Sequence, residues 1–324
     1  MSLHPFIRYL RIIGKGRHGS RPLTRDEARD ALGLILDGVA LPQQISAFFV
    51  LIRIREETPE EAAGFVDALR ERLPALPEPS PATIDWGSYA GKRRQPPWFL
   101  LALKVLAQQG EKILLHGIIG PSSNRLYTEQ ALEPLGIPQV SALSASTSEL
   151  HRSGLCYISL DDYCPTLREL LHLQQTVGLR TPLHSVARML NPLSAPLSVH
   201  GVFHRKFDQI HQQTAAVLGD ERVLAFRGEG GEAEVRPEVE TELCLSAGGK
   251  TQSLSLASCS DRAVAPTSID LGQMRRIWYG ETHNAYAENA ITATLAAVKS
   301  AQDPASAHSA LEWAKSCWKQ RVLD

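Results

Sequence analysis

The chain has 324 residues, a hydrophobic share of 43%, a charged share of 21% and a formal net charge of −1 at pH 7. This length fits one large domain or two ordinary ones, and the composition is that of a globular protein with an ample core. Because the net charge is close to zero, the overall charge favours no class of partner. A polyanion would need locally clustered basic groups.

Cysteine spacing and the length of apolar runs indicate which cellular compartment the chain is expected to occupy. The cysteines are scattered, odd in number and form no C-x-x-C pair, which argues against a disulfide framework or a zinc site; they are Cys156, Cys164, Cys244, Cys259 and Cys317. Arg8 and Arg11 interrupt any apolar run of a signal peptide. Since no apolar run reaches the length of about 18 residues that a membrane span needs, we expect a cytoplasmic protein without a membrane partner.

The first part of the chain is predicted to be helical. Thr24 and Glu27 form a capping box for a helix that should run to about Asp37. Pro42 opens a second helix, whose apolar residues recur at helical spacing at Ile45, Phe48, Phe49 and Ile52. Thr58 and Glu61 form another capping box, for a helix ending near Leu73. We therefore expect a small helical domain over residues 1–73, joined by helices from about 166–192.

Residues 74–82 are predicted to be a linker, because four prolines in eight residues exclude a helix or a central strand. Beyond it, from 83 to 324, strand-like and helix-like segments alternate. The expected fold is α/β: a small N-terminal helical domain plus a larger α/β domain with a central, mostly parallel sheet flanked by helices. The strands are expected at 83–86, 112–115, 156–160, 199–203, 223–226 and 242–245. The helices are expected at 97–108, 122–135 (after a turn), 166–177 and 284–301, with a final one holding Trp313 and Trp318.

A glycine-rich turn follows the first of these strands and is the first candidate site. Gly87, Ser88 and Gly91 would present free backbone N–H groups to an anion. Three cations follow directly: Lys92, Arg93 and Arg94. The pattern suits a phosphate or a nucleic-acid backbone, and a plain turn with a solvated basic loop is the alternative.

Other candidates are more dispersed. His116 and Gly117 follow a strand end, where ligands gather in open α/β sheets. Further cations are candidates for the same cleft: Arg125, Arg180 and Arg188. Residues 228–234 form a Gly-rich acidic loop that could hold a metal or could be solvated. The first 25 residues contain no Asp or Glu, and their basic loop offers Lys15 and Arg17 to phosphates.

The order of these sites resembles the anthranilate phosphoribosyltransferases over nearly the whole chain, and nucleoside phosphorylases more loosely. A helical segment, the Gly-rich turn and His116-Gly117 are followed by Gly178-Leu179-Arg180-Thr181, Asn191-Pro192 and the loop at 228–231. The features are most similar to a divergent branch without tryptophan-biosynthesis activity, for which nucleic-acid binding is implied. In that branch the most suggestive segments are 12–16 and 87–94.

The departures from the enzymes bear on function. The enzymes' Gly-Thr-Gly-Gly-Asp turn falls on 87–91, which reads Gly-Ser-Tyr-Ala-Gly, and their Lys-His-Gly-Asn-Arg falls on 115–119, where only His-Gly remains. Their anthranilate-binding Arg falls on Gln174, and Arg188 falls on a Gly-Pro step. Their magnesium Asp-Glu pair falls on Ala233 and Glu234, a remnant with one carboxylate missing. The resemblance therefore implies no retained catalytic residue and no resident cofactor.

Two functional hypotheses follow. The first is a nucleic-acid-binding protein, DNA or RNA, that binds the phosphate backbone through a basic cleft with little sequence preference. In a homodimer formed through the helical domain, two such clefts could join. The alternative is a phosphoribosyltransferase that uses phosphoribosyl diphosphate with an altered acceptor, and only this alternative implies magnesium.

Overall fold

The computed structural model describes residues 3–16, 18–76, 78–261 and 269–323. Four helices come first: α1 Ile7–Ile13, α2 Arg25–Leu36, α3 Pro42–Arg55 and α4 Pro59–Arg70. Both predicted capping boxes are confirmed. Thr24 Oγ1 accepts the Glu27 N–H at 3.2 Å, and Thr58 Oγ1 accepts the Glu61 N–H at 3.3 Å. Each glutamate in turn accepts the threonine N–H, so local side chains satisfy the first amides of α2 and α4.

One eight-stranded sheet dominates the rest of the chain, in the order β3-β4-β2-β1-β5-β6-β7-β8. All pairs from β3 to β6 are parallel, and β7 and β8 are antiparallel additions. The strands are β1 Ile84–Ser88, β2 Ile113–Gly117, β3 Gln139–Val140, β4 Leu155–Ser159, β5 Leu197–Val202, β6 Arg222–Arg227, β7 Thr241–Ala247 and β8 Lys250–Leu256. The expected mostly parallel sheet is thus confirmed, and its parallel strands end at one common edge.

Helices cover both faces of this sheet. They are α5 Phe99–Gln108, α6 Leu143–Ser153, α7 Leu160–Tyr163, α8 Pro165–Val177, α9 Leu183–Val186, α10 Phe207–Leu218, α11 Leu271–Trp278, α12 Ala285–Gln302 and α13 Ala310–Lys319. One buried cluster packs α5, α12 and α13 against the first face. A second runs from the N-terminal helices through α8 and α9 to the other face. Buried residues of α8 and α9 therefore share a core with the N-terminal helices.

Two arginines tie the N-terminal helices to the α/β part. Arg70, at the end of α4, donates to the carbonyls of Leu190 and Met189 at 2.9 Å and pairs with Asp220 at 2.8 Å. Arg25 pairs with Asp67 and donates to the Val217 carbonyl at 2.7 Å. Both links cross from the helical layer to segments that flank β5 and β6, and they set the spacing between the two parts.

The sequence pattern was wrong over residues 122–135 and missed several elements. Instead of a helix, this stretch has two short 3-10 turns, Thr128–Ala131 and Glu133–Leu135. Pro134 lacks the N–H that would continue a helix, and Gly136 ends the segment at a φ of 65°. Strand β8 escaped prediction because it lies at the sheet edge, with mostly exposed polar residues and no clean apolar alternation. The pattern also missed β3, α6, α10 and α11.

Among the described residues, no helix combines the length and apolar character that crossing a membrane requires.

Candidate anion-binding cleft

Two adjoining cavities open at the carboxyl ends of the parallel strands. The first, of about 340 Å³, lies between the helical layer and the strand-end loops, and the second, of about 710 Å³, continues from it. They share Arg93, Arg125, Phe203, His204 and Gly230. We call the two together the arginine cleft, since nine arginines line it: Arg53, Arg93, Arg94, Arg125, Arg180, Arg188, Arg205, Arg227 and Arg236.

Few negative charges balance these arginines. Of the three carboxylates that line the cleft among the described residues, Glu229 pairs with Lys92 and Glu238 pairs with Arg236 at 3.1 Å. The third, Glu57, is buried, and burial raises the pKa of its carboxyl. No carboxylate of the described chain pairs with Arg93 or Arg180. The cleft therefore carries a positive potential that favours an anionic ligand.

Arg125 and Arg188 show how crowded the cations are. Burial lowers the pKa of Arg125, and the neighbouring charges of Arg93 and Arg180 lower it further. Arg125 is fixed by donating to the carbonyls of Ala90 and Gly91 at 2.7 and 2.9 Å. Burial also lowers the pKa of Arg188, whose guanidinium lies 5.6 Å from the Tyr89 ring centroid. An anion that reaches these groups would relieve their mutual repulsion.

The predicted anion-binding turn at the end of β1 is present, but an internal carboxylate fills it. Glu232 is 1% exposed and accepts the Ala90 and Gly91 N–H groups at 2.7 and 2.5 Å. Its other oxygen accepts the Ser88 hydroxyl at 2.7 Å. Of the three residues expected to offer N–H groups, only Gly91, at a φ of 70°, donates one to this carboxylate, together with Ala90; Gly87 and Ser88 lie within β1. The anion that the turn binds therefore comes from the chain itself.

Lys92 differs from the expectation that it acts with Arg93 and Arg94. Its side chain is 1% exposed and turns inward, where the ammonium group pairs with Glu229 and, at 2.5 Å, with Glu234. Arg93 and Arg94 are exposed and line the cleft. The difference arises because Glu229 and Glu234, on a loop distant in sequence, compensate the burial of Lys92. Within the described part of the chain, no carboxylate pairs with Arg93 or Arg94.

His116 and Gly117 end β2 beneath the cleft, and neither lines it. His116 is fully buried; its Nε2 lies 3.2 Å from Asp85, and its Nδ1 lies 2.7 Å from the Tyr89 hydroxyl and 3.0 Å from that of Tyr163. This network holds Tyr89 of the turn, and the Tyr89 ring in turn faces the Arg188 guanidinium. The structure thus places His116 behind the candidate site as a support.

The remaining sequence candidates divide between the cleft and other surfaces. Arg180 is exposed and lines the smaller cavity, and Gly87 packs directly under Arg188. Lys15 is exposed after α1 and lines neither cavity. Arg17 lies outside the described residues. Gln174 is partly exposed on α8 and also lies away from the cleft.

Comparison with known proteins agrees with this architecture. The model of the "Glycosyl transferase family, helical bundle domain" matches residues 9–73. An anthranilate phosphoribosyltransferase from Geobacillus thermodenitrificans is 27% identical over 233 residues, covering 72% of this chain and 68% of the relative. The uncharacterized protein YbiB of Escherichia coli is 25% identical over 230 residues, covering 70% and 71%.

Solved structures extend the likeness to the whole fold. Anthranilate phosphoribosyltransferase (TrpD) from Thermus thermophilus superimposes with a TM-score of 0.77 at 22% identity, covering 98% of this chain and 94% of the other. The chain therefore has the fold of the anthranilate phosphoribosyltransferases. Another neighbour in this family, the Saccharomyces cerevisiae enzyme in complex with PRPP and Mg, has a TM-score of 0.74 at 17% identity over 98% of this chain and 94% of the other.

The residues of this chain do not fit a magnesium ion at the loop of residues 228–234. Glu234, the remnant of the metal pair, is fully buried; one oxygen pairs with Lys92 and the other accepts the Phe99 N–H at 2.9 Å. Glu229 pairs with the same ammonium group. Magnesium requires several oxygen ligands and keeps part of its water shell, and a buried lysine occupies the space between these two carboxylates.

The residues of the cleft that sequence reasoning missed include four arginines and an exposed aromatic ring: Arg53, Arg205, Arg227, Arg236 and Phe203. A usable signal existed for three of them. Phe203 and Arg205 directly follow β5, and Arg227 ends β6, so all three lie at the edge where parallel α/β sheets bind ligands. Arg53 carried no such signal, because it lies within α3, one turn after Phe49, and not at the end of a strand.

Proposed function

We propose that this chain is a phosphoribosyltransferase-type protein that binds a ribosyl phosphate or diphosphate in the arginine cleft, with an acceptor other than anthranilate. The observation that carries the proposal is the smaller cavity, which five arginines line and in which Glu57 is the single carboxylate among the described residues. Its volume of about 340 Å³ fits a small ligand. Guanidinium groups bind phosphate oxygens in pairs of hydrogen bonds.

Relatives supply the second support. The Geobacillus thermodenitrificans relative is by its name an anthranilate phosphoribosyltransferase, and the yeast neighbour was solved with PRPP and Mg. In such a transfer the bond between C1 of the ribose and the diphosphate oxygen breaks, diphosphate leaves with the electron pair, and the acceptor bonds to C1. Arg93, Arg125 and Arg180 are placed to neutralise the departing diphosphate.

An acceptor other than anthranilate is proposed because the side chains at the acceptor side of the cleft differ from those expected in the enzymes. Gln174 stands where the enzymes have their anthranilate-binding arginine, and it does not line the cleft. Arg188 and the exposed ring of Phe203 occupy the cleft instead. A cation and an exposed ring suit an acceptor that is itself anionic or aromatic.

Calorimetric titration with ribose 5-phosphate tests the binding step. We expect Arg180→Ala and Arg93→Ala each to weaken binding about tenfold, because a hydrogen bond to a charged group contributes about 1.5 to 3 kcal/mol. The control is Arg152→Ala on α6, an exposed arginine paired with Glu149, which should leave affinity unchanged. Unchanged affinity in both cleft variants would refute the proposal, and diphosphate release with candidate acceptors then tests the transfer.

A second candidate function, binding of a nucleic-acid backbone, is favoured by the length of the cleft. The arginines continue from the smaller cavity into the larger one, of about 710 Å³, which four further arginines line: Arg94, Arg205, Arg227 and Arg236. Such an arrangement would bind DNA or RNA through its phosphates, with a steep dependence on salt. A homodimer that joins two clefts remains part of this second proposal.

Salt-dependent titration with single-stranded oligonucleotides separates the two candidates. Backbone binding predicts that the logarithm of the affinity falls linearly with the logarithm of salt concentration, with a smaller slope in Arg205→Ala and Arg227→Ala. Both arginines are exposed and lie outside the smaller cavity. Ribose 5-phosphate binding should be unaffected by these two changes, and equal loss of both ligands would contradict a separate nucleic-acid surface.

A further inference from the structure

Beneath the cleft, Lys92 is fixed in place by its backbone. Its N–H donates to the Leu126 carbonyl at 2.7 Å, and its carbonyl accepts the Leu126 N–H at 2.8 Å. The side chain therefore starts from a rigid point directly after Gly91 and extends inward to Glu229 and Glu234. Burial opposes its positive charge, but the two carboxylates outweigh burial and raise the pKa of Lys92.

Glu232 is fixed with equal rigidity from the other side. The loop that carries it lies directly against β5: a Cβ on Gly201 would collide with the Ala233 nitrogen, and a Cβ on Gly228 would collide with the Glu232 carbonyl. This close approach brings the Glu232 carboxylate onto the three donors of the turn. A phosphate could reach those donors only by displacing a buried carboxylate from a closely packed loop.

We infer that Lys92 is a built-in substitute for a divalent cation and Glu232 a built-in substitute for a ligand phosphate, so that ligand phosphate binds to the arginines without a metal ion. The charges of the two side chains fit these roles. The Lys92 ammonium group lies between two carboxylates, and the Glu232 carboxylate lies among neutral N–H and O–H donors. The turn and the loop are thereby satisfied internally, and the arginines of the smaller cavity are left for the ligand.

This inference has one part that stands alone and one that rests on the proposed function. The exclusion of a divalent cation by Lys92 rests only on the buried cluster of Lys92, Glu229 and Glu234. That ligand binding needs no metal depends also on the proposed ribosyl-phosphate site. The experiments below are chosen to test the two parts separately.

The first experiment titrates the unaltered protein with Mn²⁺ alone and follows free Mn²⁺ by electron paramagnetic resonance. We expect no site tighter than the millimolar range, and a single tight site per chain would overturn the inference. In Lys92→Ala the carboxylates lose their ammonium partner, and we expect Mn²⁺ affinity to rise at least tenfold, because Glu229 and Glu234 then offer paired oxygen ligands. A folded Lys92→Ala protein with unchanged Mn²⁺ affinity would also overturn it.

Lys92→Ala removes a buried charge partner and can unfold the chain, so the second experiment uses the unaltered protein. Ribose 5-phosphate is titrated in EDTA and again in millimolar MgCl₂. We expect affinities that agree within about twofold, and a tenfold gain with magnesium would refute metal-free binding. Absence of binding in both buffers would count against the proposed function, while the Mn²⁺ result would still decide the role of Lys92.

The role of Glu232 is tested by Glu232→Gln, which keeps a hydrogen-bond acceptor in the turn and removes the negative charge next to Arg188. We expect ribose 5-phosphate to bind several-fold more tightly, since the charge of Glu232 acts on Arg188 across the cleft wall. The control, Glu312→Gln on α13, is exposed and should change nothing. Weaker binding in Glu232→Gln would show that Glu232 supports the ligand and does not replace it.

Discussion

Arg188 packs directly on Gly87. A Cβ added at Gly87 would lie 3.2 Å from the Arg188 Cα and 3.4 Å from its Cβ. The glycine at the end of β1 is therefore required less for turn conformation than for the close approach of a cation to the strand end. The contact places Arg188 directly against Gly87, the first glycine of the predicted anion-binding turn.

Gly87→Ala tests this contact. The added methyl group should displace Arg188 by a few tenths of an ångström, lower stability by about 1 kcal/mol and weaken ribose 5-phosphate binding several-fold. Gly33→Ala in α2 is the matched control, because its new Cβ would meet only Arg72 at 3.5 Å. It should stabilise the protein by about 0.5 to 1 kcal/mol. Urea unfolding and calorimetry measure the two effects, and unchanged binding in Gly87→Ala would contradict the proposed role of the contact.

Phe203→Ala tests the exposed ring in the cleft. The side chain is 60% exposed, so its removal should leave the free energy of unfolding nearly unchanged. Loss of base stacking should weaken oligonucleotide binding by about 1 to 3 kcal/mol, with little effect on ribose 5-phosphate. Fluorescence anisotropy measures this difference, and Phe203→Tyr, which keeps an aromatic ring, should restore most of the affinity. Equal oligonucleotide affinity in Phe203→Ala would exclude stacking at this residue.

Stability should fall in mild acid because of two buried histidines. His200 and His211 face each other with their Nδ1 atoms 3.3 Å apart. Burial, followed by the nearby charge of His116, lowers the pKa of His200 from 6.5 to about 3, and burial lowers the pKa of His211 well below its ordinary value.

The lowered pKa values of His200 and His211 make the folded chain less stable in acid. Below pH 6.5 the unfolded chain binds protons at these histidines while the folded chain does not, so the stability present at neutral pH is lost as the pH falls towards 3. The slope should be about 1.4 kcal/mol per pH unit for each histidine. Urea unfolding in mildly acidic buffers should show a smaller slope in the double variant His200→Gln, His211→Gln. The control is His204→Gln, at an exposed histidine, and a parallel curve for the double variant would contradict the assignment.

Glu61 should matter more than its counterpart in the other capping box. It is fully buried, accepts the Leu23 N–H at 2.8 Å and pairs with Arg55 at 2.5 Å, in addition to capping α4. Glu61→Ala should cost about 3 to 5 kcal/mol, because it leaves a partly buried arginine without its partner. Glu27→Ala, in the exposed box of α2, should cost about 1 kcal/mol. Chemical denaturation compares the two variants, and similar costs would show that burial adds nothing to the cap.

Contacts between residues close in sequence could be predicted, and contacts between residues far apart in sequence could not. The boxes at Thr24 and Thr58 were predictable because cap and partner lie three residues apart. The arginines of the cleft were predictable in part, since Arg93 and Arg94 follow a strand end. The direction of Lys92 was not, because its partner Glu234 lies 142 residues further along the chain. The contacts of Glu232 with the turn could not be predicted for the same reason, since they form only when the sheet brings the two segments together.

The arginine links between the layers have a kinetic consequence. Arg70 binds two backbone carbonyls and Asp220 of the α/β part, and Arg25 binds the Val217 carbonyl, so these links fix the separation of the two walls of the cleft before any ligand arrives. A protein with such preset walls needs no domain closure to engage its ligand. Association should then proceed in a single concentration-dependent phase, with a rate governed by electrostatic attraction and slowed by added salt.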